Sequence, residues 1–388
     1  MNKYTLIILL LLTTAPLLGQ ESTDFTIGEI FEMDSKALGE KREYIVSLPA
    51  SYQGDEFYVE KNYPVLILLD GQRLFHLVSA MIHSMSSGGI EQIPEMIVVG
   101  VNQINRNQEL VPLESDDEQR RISSKDFRRF IEEELVPEIE RKYRTIDCRI
   151  IVGHSFGGLF VIESFLESNN YEGYLAIDPS LWWADEILNL RAKEILQNRD
   201  LRPLSIYISQ SNNPFDEGLA TGRLGKAIQG FKRILEQTSS RDLRYKFDFF
   251  EKEDHFSIPL ISLYEGLQYL FKGYKYPLNE IKSKEIKEID EHYKSLMTRL
   301  GGEVLPPGKL LNQVGLYLLR NESIEKGIAL LELNKKYYSN SYIPYNSLGE
   351  AYLIQENEEL ALKHFMKSVE INPGNEHARR RINELRNE

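Results

Sequence analysis

Five short apolar runs, at residues 65–69, 97–101, 150–152, 174–177 and 204–208, constrain the fold of this 388-residue chain most strongly. None alternates apolar with polar residues. A strand wetted on one side would alternate, so unbroken runs suit strands buried on both faces. Helical spacing fills the gaps. Phe127, Phe130, Ile131, Leu135 and Ile139 lie on one helical stripe, and Ser123 with Asp126 forms an N-terminal capping pattern ahead of them. Leu260, Leu263, Tyr264, Leu267, Leu270 and Phe271 mark a later helix. Strand–helix alternation of this kind predicts an α/β fold: a mostly parallel sheet with helices on both faces. Residues 26–33 and 42–48 follow each other without a helix and are expected to open the sheet as an antiparallel hairpin.

The pattern changes after about residue 275. Residues 279–300 are charged and helical, and Pro306-Pro307-Gly308 then breaks the chain. Beyond the break the sequence repeats with a period of 34: LNQVGLYLL at 311–319 aligns with YNSLGEAYL at 345–353, and Gly315 matches Gly349. Tyr352, Ala361, Phe365 and Pro373 follow with tetratricopeptide spacing, and Gly327 and Leu331 stand at the matching places of a looser first copy. Small residues let paired helices approach while large ones fill the gaps. Two such repeats are fewer than usually stand alone, so they are expected to pack on the sheet domain.

The first residues, MNKYTLIILLLLTTAPLLGQ, carry Lys3, an apolar core from Leu6 to Leu12 and a short small-residue segment. That is the layout of a secretory signal peptide, and the apolar run is short for a membrane span. Cleavage is expected near Gly19-Gln20, which places the mature chain outside the cytoplasm, periplasmic or secreted. The expected domains are therefore a signal peptide (1–19), an α/β sheet domain (20–274), a charged helical linker (275–305) and a small all-α tetratricopeptide-like domain (306–388). Forty-six basic against 59 acidic residues give a net charge of −13, which repels phosphate backbones and speaks against nucleic-acid binding. The single cysteine, Cys148, has no partner for an internal disulfide and is expected to be a buried thiol.

The chemistry concentrates at RIIVGHSFGGLF, residues 149–160, where an apolar run meets Gly153-His154-Ser155-Phe156-Gly157. Composition alone yields a G-x-S-x-G pentapeptide about 0.1 times in a chain this long. Its place between a strand and a helical Leu159-Phe160-Val161 segment is what identifies a nucleophile elbow. The competing reading is a packing corner. On an elbow Ser155 is the nucleophile, the glycines avoid clashes in a tight turn, and the Phe156 amide helps bind an oxyanion.

A serine hydroxyl needs a base. Of seven histidines, His76 and His83 precede the serine, His154 adjoins it and is expected to point elsewhere, and His292, His364 and His377 lie in the tail. His255 remains, in EKEDHFSIP after the alternating strand Leu243, Tyr245, Phe247, Phe249. The acid is expected after the strand at 204–208, in SQSNNPFDEG, with Asp216 first, Glu217 and Asp178 as alternatives, and a Ser–His dyad as the remaining possibility. A second oxyanion donor is expected from LDGQRLF, where Gly71 permits a sharp turn and the amide of Gln72 or Arg73 faces the site.

Together, LLDGQRLF, VGVNQINRNQELVP, GHSFGGLF, DPSLWW and EDHFSIP resemble the putative-esterase family of α/β-hydrolases, in family order over roughly residues 25–273. That family includes enterochelin-type siderophore esterases, feruloyl esterases and S-formylglutathione hydrolase. Exported bacterial members with a tetratricopeptide tail are the most similar. The resemblance implies an α/β-hydrolase fold and an acyl-ester hydrolase without metal or cofactor, with Ser155 and His255 catalytic and a small-molecule ester as substrate. The family more often has Ser where this chain has Asp178, which leaves the acid open. Trp182 and Trp183 either wall a pocket for an acyl or aromatic group or pack in the core. Arg106 either meets a substrate carboxylate or ties its loop down, and the second is expected. The competing readings are an idle scaffold that binds a protein partner through its repeats, and a peptidase or acyltransferase on the same fold. A scaffold has no need for an intact Ser155 and His255 pair.

Overall fold

A computed structural model describes residues 25–54, 61–87, 91–112, 122–198, 204–212, 222–238 and 243–387. The expected signal peptide lies outside the described residues. The described chain contains an eight-stranded sheet: β1 (Glu29–Ser35), β2 (Glu40–Ser47), β3 (Tyr63–Leu68), β4 (Ile97–Val101), β5 (Thr145–His154), β6 (Gly173–Ile177), β7 (Leu204–Ser211) and β8 (Leu243–Phe250). Their order across the sheet is β1-β2-β4-β3-β5-β6-β7-β8. The opening hairpin pairs Glu29 with Val46 in antiparallel register, β2 joins β4 antiparallel, and every pairing from β4 through β3 to β8 is parallel.

The unbroken apolar runs are explained by two cores. Val65, Ile67, Leu69, Val99 and Ile151 face one core, closed by the helices Phe156–Glu167 and Arg223–Glu236. Leu66, Leu68, Val98, Ile150 and Val152 face the other, closed by Gly71–Ser86 and Ile258–Leu270. Successive side chains of a strand point to opposite faces, so a strand packed on both sides must be apolar at every position. Cys148 is fully buried in the second core, where burial pushes its thiol far up.

The capping pattern at Ser123 forms as expected: its side chain accepts from the Asp126 amide, and the Asp126 side chain accepts from the Ser123 amide. The stripe beyond it is not one α-helix. A π-helical segment, Phe130–Leu135, joins Ser124–Arg129 to Val136–Lys142. Pro137 follows it; proline lacks an amide hydrogen and its ring crowds the carbonyl four residues earlier, so the ladder adjusts ahead of it.

The tail consists of helices. Residues 279–300 fall into two, Leu278–Ser283 and Ile286–Arg299, the second opened by a capping box between Glu285 and Glu288. Helices then begin at 308, 324, 342, 358 and 376, and the starts 308 and 342, 324 and 358, and 342 and 376 are each 34 residues apart. The repeated glycines sit where helices touch. A Cβ on Gly315 would lie 2.8 Å from Leu331, and one on Gly349 only 2.5 Å from Phe365. Ile289, Tyr293, Leu296, Leu311, Val314 and Leu330 belong to the same buried cluster as Leu66 and Ile150 of the sheet. The tail therefore extends one of the two cores.

Candidate active site

The elbow is built by close approach. β5 ends at His154 and the next helix starts at Phe156, so Ser155 alone makes the corner, at φ 61 and ψ −117. A non-glycine residue held there stores about 1–3 kcal/mol of strain. Its amide donates to the Ile177 carbonyl at 3.0 Å, and the Ser180 amide donates to the Ser155 carbonyl at 3.1 Å, which fixes the corner against the end of β6. A Cβ on Gly153 would stand 2.3 Å from the Gly157 oxygen, and one on Gly158 3.0 Å from both the Ile177 oxygen and Pro179 Cα. Only glycine fits at 153, and at 158 a side chain would need the end of β6 to give way by a few tenths of an ångström.

His255 follows β8 as expected, and its Nε2 lies 3.0 Å from Ser155 Oγ. Its Nδ1 lies 2.7 Å from Asp178 Oδ2. A carboxylate only accepts, so Nδ1 carries the hydrogen and Nε2 presents its lone pair to the Ser155 hydroxyl. That hydroxyl has one hydrogen to give. The Ser180 hydroxyl, 3.3 Å from Ser155 Oγ, is then the donor in that contact. Such an arrangement can withdraw the Ser155 proton as its oxygen attacks a carbonyl.

The carboxylate found on His255 is that of Asp178, in place of the expected Asp216. Asp216 and Glu217 lie outside the described residues. Asp178 follows β6, one strand nearer to β5 than the expected position after β7. It is fully buried, at φ 43. Its charge is held by the last residue of β7: the Ser211 amide donates to Oδ1 at 2.9 Å and the Ser211 hydroxyl to Oδ2 at 2.6 Å. The end of β7, where the acid was sought, thus supplies an amide and a hydroxyl that hold the Asp178 carboxylate at the end of β6.

The expected oxyanion donors stand at two helix starts. The Phe156 amide opens the helix Phe156–Glu167, and the Gln72 amide lies in the first turn of Gly71–Ser86. The Gln72 side chain is exposed. Asp70, at φ 55, precedes that turn without capping it, because its carboxylate is taken by Arg106. Arg106 Nε donates to Asp70 Oδ1 at 2.6 Å, and its terminal nitrogen donates to Asp70 Oδ2 and to the His154 carbonyl, both at 3.0 Å. Arg106 ties its loop down, as expected, and ties it to the elbow. Asp70 Oδ2 would lie only 3.2 Å from a Cβ on Gly157, so the two helix starts are in contact.

Trp182 and Trp183 are half-buried beside Phe156, the residue after Ser155. The Phe156 ring meets Trp183 edge-on at 5.2 Å and Trp182 at 6.3 Å, while the Arg223 guanidinium lies 5.1 Å over Trp182 and that of Arg106 5.4 Å over Phe156. The pair packs against the core and keeps an accessible face.

Three residues of the site were not read from the sequence as part of it, Ser180, Ser211 and His154, and Arg73, expected only for its amide, reaches His154 Nδ1 with its guanidinium. Ser180 lies inside DPSLWW, so the motif itself was a signal. His154 was expected to point elsewhere. Its ring instead packs 4.6 Å from that of His255. Burial, first of all, pulls its pKa down to about 3. Among the described residues no group of three or more His, Cys, Asp or Glu side chains is placed to hold a metal ion.

The chain was compared with known proteins. The family described as putative esterase matches residues 35–261, a span that contains Ser155, Asp178 and His255. The ferri-bacillibactin esterase BesA of Bacillus subtilis is 29% identical over 147 residues, 37% of this chain and 50% of that protein. The apo-salmochelin esterase of Escherichia coli O6:H1 is 31% identical over 139 residues, 31% of this chain and 42% of its own. The chain thus spans about half the length of the curated relatives it matches. A crystal structure of an IroE-like serine hydrolase from Shewanella oneidensis is similar over 80% of this chain and 99% of its own, with 28% identity and a TM-score of 0.68. With the match covering more than half of its length and the sheet order and elbow in place, this chain belongs to the putative-esterase family of α/β-hydrolases.

Proposed function

We propose that the chain is a serine carboxylic-ester hydrolase working through Ser155, His255 and Asp178. The carrying observation is the continuous relay from Ser155 Oγ through His255 to Asp178, at 3.0 and 2.7 Å. In this reading His255 Nε2 takes the Ser155 proton as Oγ bonds to the ester carbonyl carbon. Asp178 stabilises the imidazolium and keeps Nδ1 protonated. The developing oxyanion is met by the Phe156 amide and by a second amide from the Gln72 turn. Collapse expels the alcohol, which takes the proton from His255. Water, deprotonated by His255, then releases the acid and restores Ser155.

The natural substrate in this proposal is a small-molecule ester that carries an aromatic group, of siderophore or feruloyl type. Two of the relatives are named a ferri-bacillibactin esterase and an apo-salmochelin esterase. The partly accessible Phe156, Trp182 and Trp183 rings suit an aryl group, and the nearby Arg223 and Arg106 guanidinium groups suit an electron-rich one. The signal-like first segment favours work outside the cytoplasm, and among the described residues no helix is long and apolar enough to cross a membrane. The 34-residue spacing of the tail helices favours tetratricopeptide-type hairpins.

The test is Ser155→Ala in the full chain, assayed on a short-chain aryl ester, with a fluorophosphonate probe to read the serine. The expected outcome is a fall in kcat of at least about 10³-fold and no labelling, with an unchanged melting temperature. Activity within about tenfold of the parent would refute the reading. A panel of catecholate siderophores, feruloyl esters and simple acyl esters then ranks substrates by kcat/KM.

A further inference from the structure

The residue before the nucleophile has a place of its own in the site. His154 is 1% exposed, and its side chain makes two hydrogen bonds that together set its tautomer. Arg73, from the helix Gly71–Ser86, approaches His154 Nδ1 at 2.9 Å. A guanidinium can only donate, so Nδ1 must accept and the ring hydrogen must sit on Nε2. That Nε2–H points at the main-chain carbonyl of His255, 2.7 Å away. Arg106 completes the arrangement by holding the His154 carbonyl at 3.0 Å.

We propose that His154 is a positioning residue for the base: its Nε2–H, fixed by Arg73, anchors the main chain of His255 and so places the imidazole between Ser155 and Asp178. The inference rests on the esterase reading above. The loop that carries His255 is otherwise turned outward. Phe256 is 74% exposed, and Asp254 folds the loop locally by accepting from the Phe256 and Ser257 amides at 2.8 and 2.9 Å. The Asn212 amide holds the Glu253 carbonyl, two residues before His255. The contact from His154 acts on His255 itself. It couples the base to the residue adjoining the nucleophile, so the two reacting groups are referred to one rigid strand end. The groups that face His154 are Arg73, the His255 ring and, farther off, Asp178. Next to a guanidinium, and out of water, the His154 ring stays neutral and keeps its single hydrogen on Nε2.

The experiment compares His154→Phe and His154→Gln in the full chain, on a short-chain aryl ester and with a fluorophosphonate probe. Phenylalanine keeps the ring volume and loses both hydrogen bonds. A glutamine amide can still donate to the His255 carbonyl. The expected result for His154→Phe is a fall in kcat of about tenfold to a hundredfold, the scale of a misplaced catalytic group, with KM changed by less than about twofold and labelling slowed by the same factor as kcat. His154→Gln should recover most of that loss, to within about threefold of the parent. Equal losses in the two variants, or a kcat within about twofold of the parent in His154→Phe, would overturn the proposal. Should His154→Phe not fold, Arg73→Met removes the group that fixes the tautomer from a half-exposed position. A fall in kcat of about threefold or more at constant KM supports the proposal, and an unchanged kcat overturns it. Ser155→Ala separates the two levels. An active Ser155→Ala sinks the esterase reading itself, whereas a dead Ser155→Ala beside a fully active His154→Phe sinks only the positioning role.

Discussion

Asp178 bears the most weight of any single side chain here, because it is a fully buried carboxylate with three hydrogen bonds and one histidine to orient. Asp178→Asn would keep the shape and lose the charge. The asparagine amide can donate to His255 Nδ1, which leaves the hydrogen on Nε2, facing Ser155 in the wrong tautomer. The expected loss in kcat is about 10³–10⁴-fold with the fold retained, read by steady-state kinetics and thermal melting. A loss under about tenfold would show that Asp178 is not the working acid. His154 makes a second prediction, on stability. Its folded-state pKa lies near 3, below the ordinary histidine value of about 6.5. Between those values the unfolded chain binds a proton that the native chain refuses. Above about pH 6.5 both states are neutral at this ring and nothing is lost; as pH falls below it, stability drops by up to about 1.4 kcal/mol per pH unit until the native ring also protonates. His154→Gln should therefore show a shallower loss of stability between about pH 6 and pH 4 than the parent does, measured by urea denaturation. Identical slopes would mean that His154 is not the buried neutral group.

At the scale of elements, the sheet supplies the site by strand ends alone. β5, β6 and the loop after β8 each deliver one group at the same edge, and the crossovers keep those ends together. The elbow is the least tolerant of these elements. Gly153→Ala would force a Cβ to within 2.3 Å of a backbone oxygen, with no flexible neighbour to yield. It should cost about 3 kcal/mol, the upper end for an overpacked site, and abolish labelling by a fluorophosphonate; an active, stable Gly153→Ala would mean that the corner can open to admit a side chain. This corner was legible in the sequence because its requirement is local: two glycines, one serine, an apolar run before and a helical stripe after. His255 was legible by order and elimination. Asp178 was only an alternative, because choosing between the ends of β6 and β7 depends on which strand lies beside β5 and on where Ser211 points. Neither is written in a local pattern. The π-helical segment ahead of Pro137 and the division of residues 279–300 at Glu285 were missed for another reason. Apolar periodicity marks a helical face, but it does not register a single displaced hydrogen bond or a cap inside a continuous stripe.

At the scale of the molecule, the tail and the site occupy opposite ends of β5. A Cβ on Gly302 would lie 3.1 Å from Asp147, near the start of that strand, and one on Gly301 would press on Glu172, just before β6. Ser155 lies eight residues beyond Asp147, about 26 Å along an extended strand at ~3.3 Å per residue. At Gly301 and Gly302 the tail thus meets the sheet on the end of β5 away from Ser155. Its support is apolar: Tyr293 and Ile289 are fully buried in the cluster that also holds Ile150 and Val152, and Leu311, Val314 and Leu330 continue it outward. Ion pairs such as Lys336 with Asp290 fasten the repeat helices to the linker helix at its surface, where each is worth at most about 1 kcal/mol, so burial decides the outcome. Truncation after about residue 305 would strip Leu311, Val314, Leu318 and Leu330 from this cluster and bare the side chains they cover. Losing a buried leucine commonly costs about 2–5 kcal/mol, so removing several at once should lower the melting temperature by well over 10 °C or cause aggregation, while any folded fraction still reacts with a fluorophosphonate at the parental rate. An unchanged melting temperature with lost turnover of a large natural ester, but not of a short aryl ester, would place the repeats in the substrate site instead and would require the chain to bring them around to the other end of the sheet.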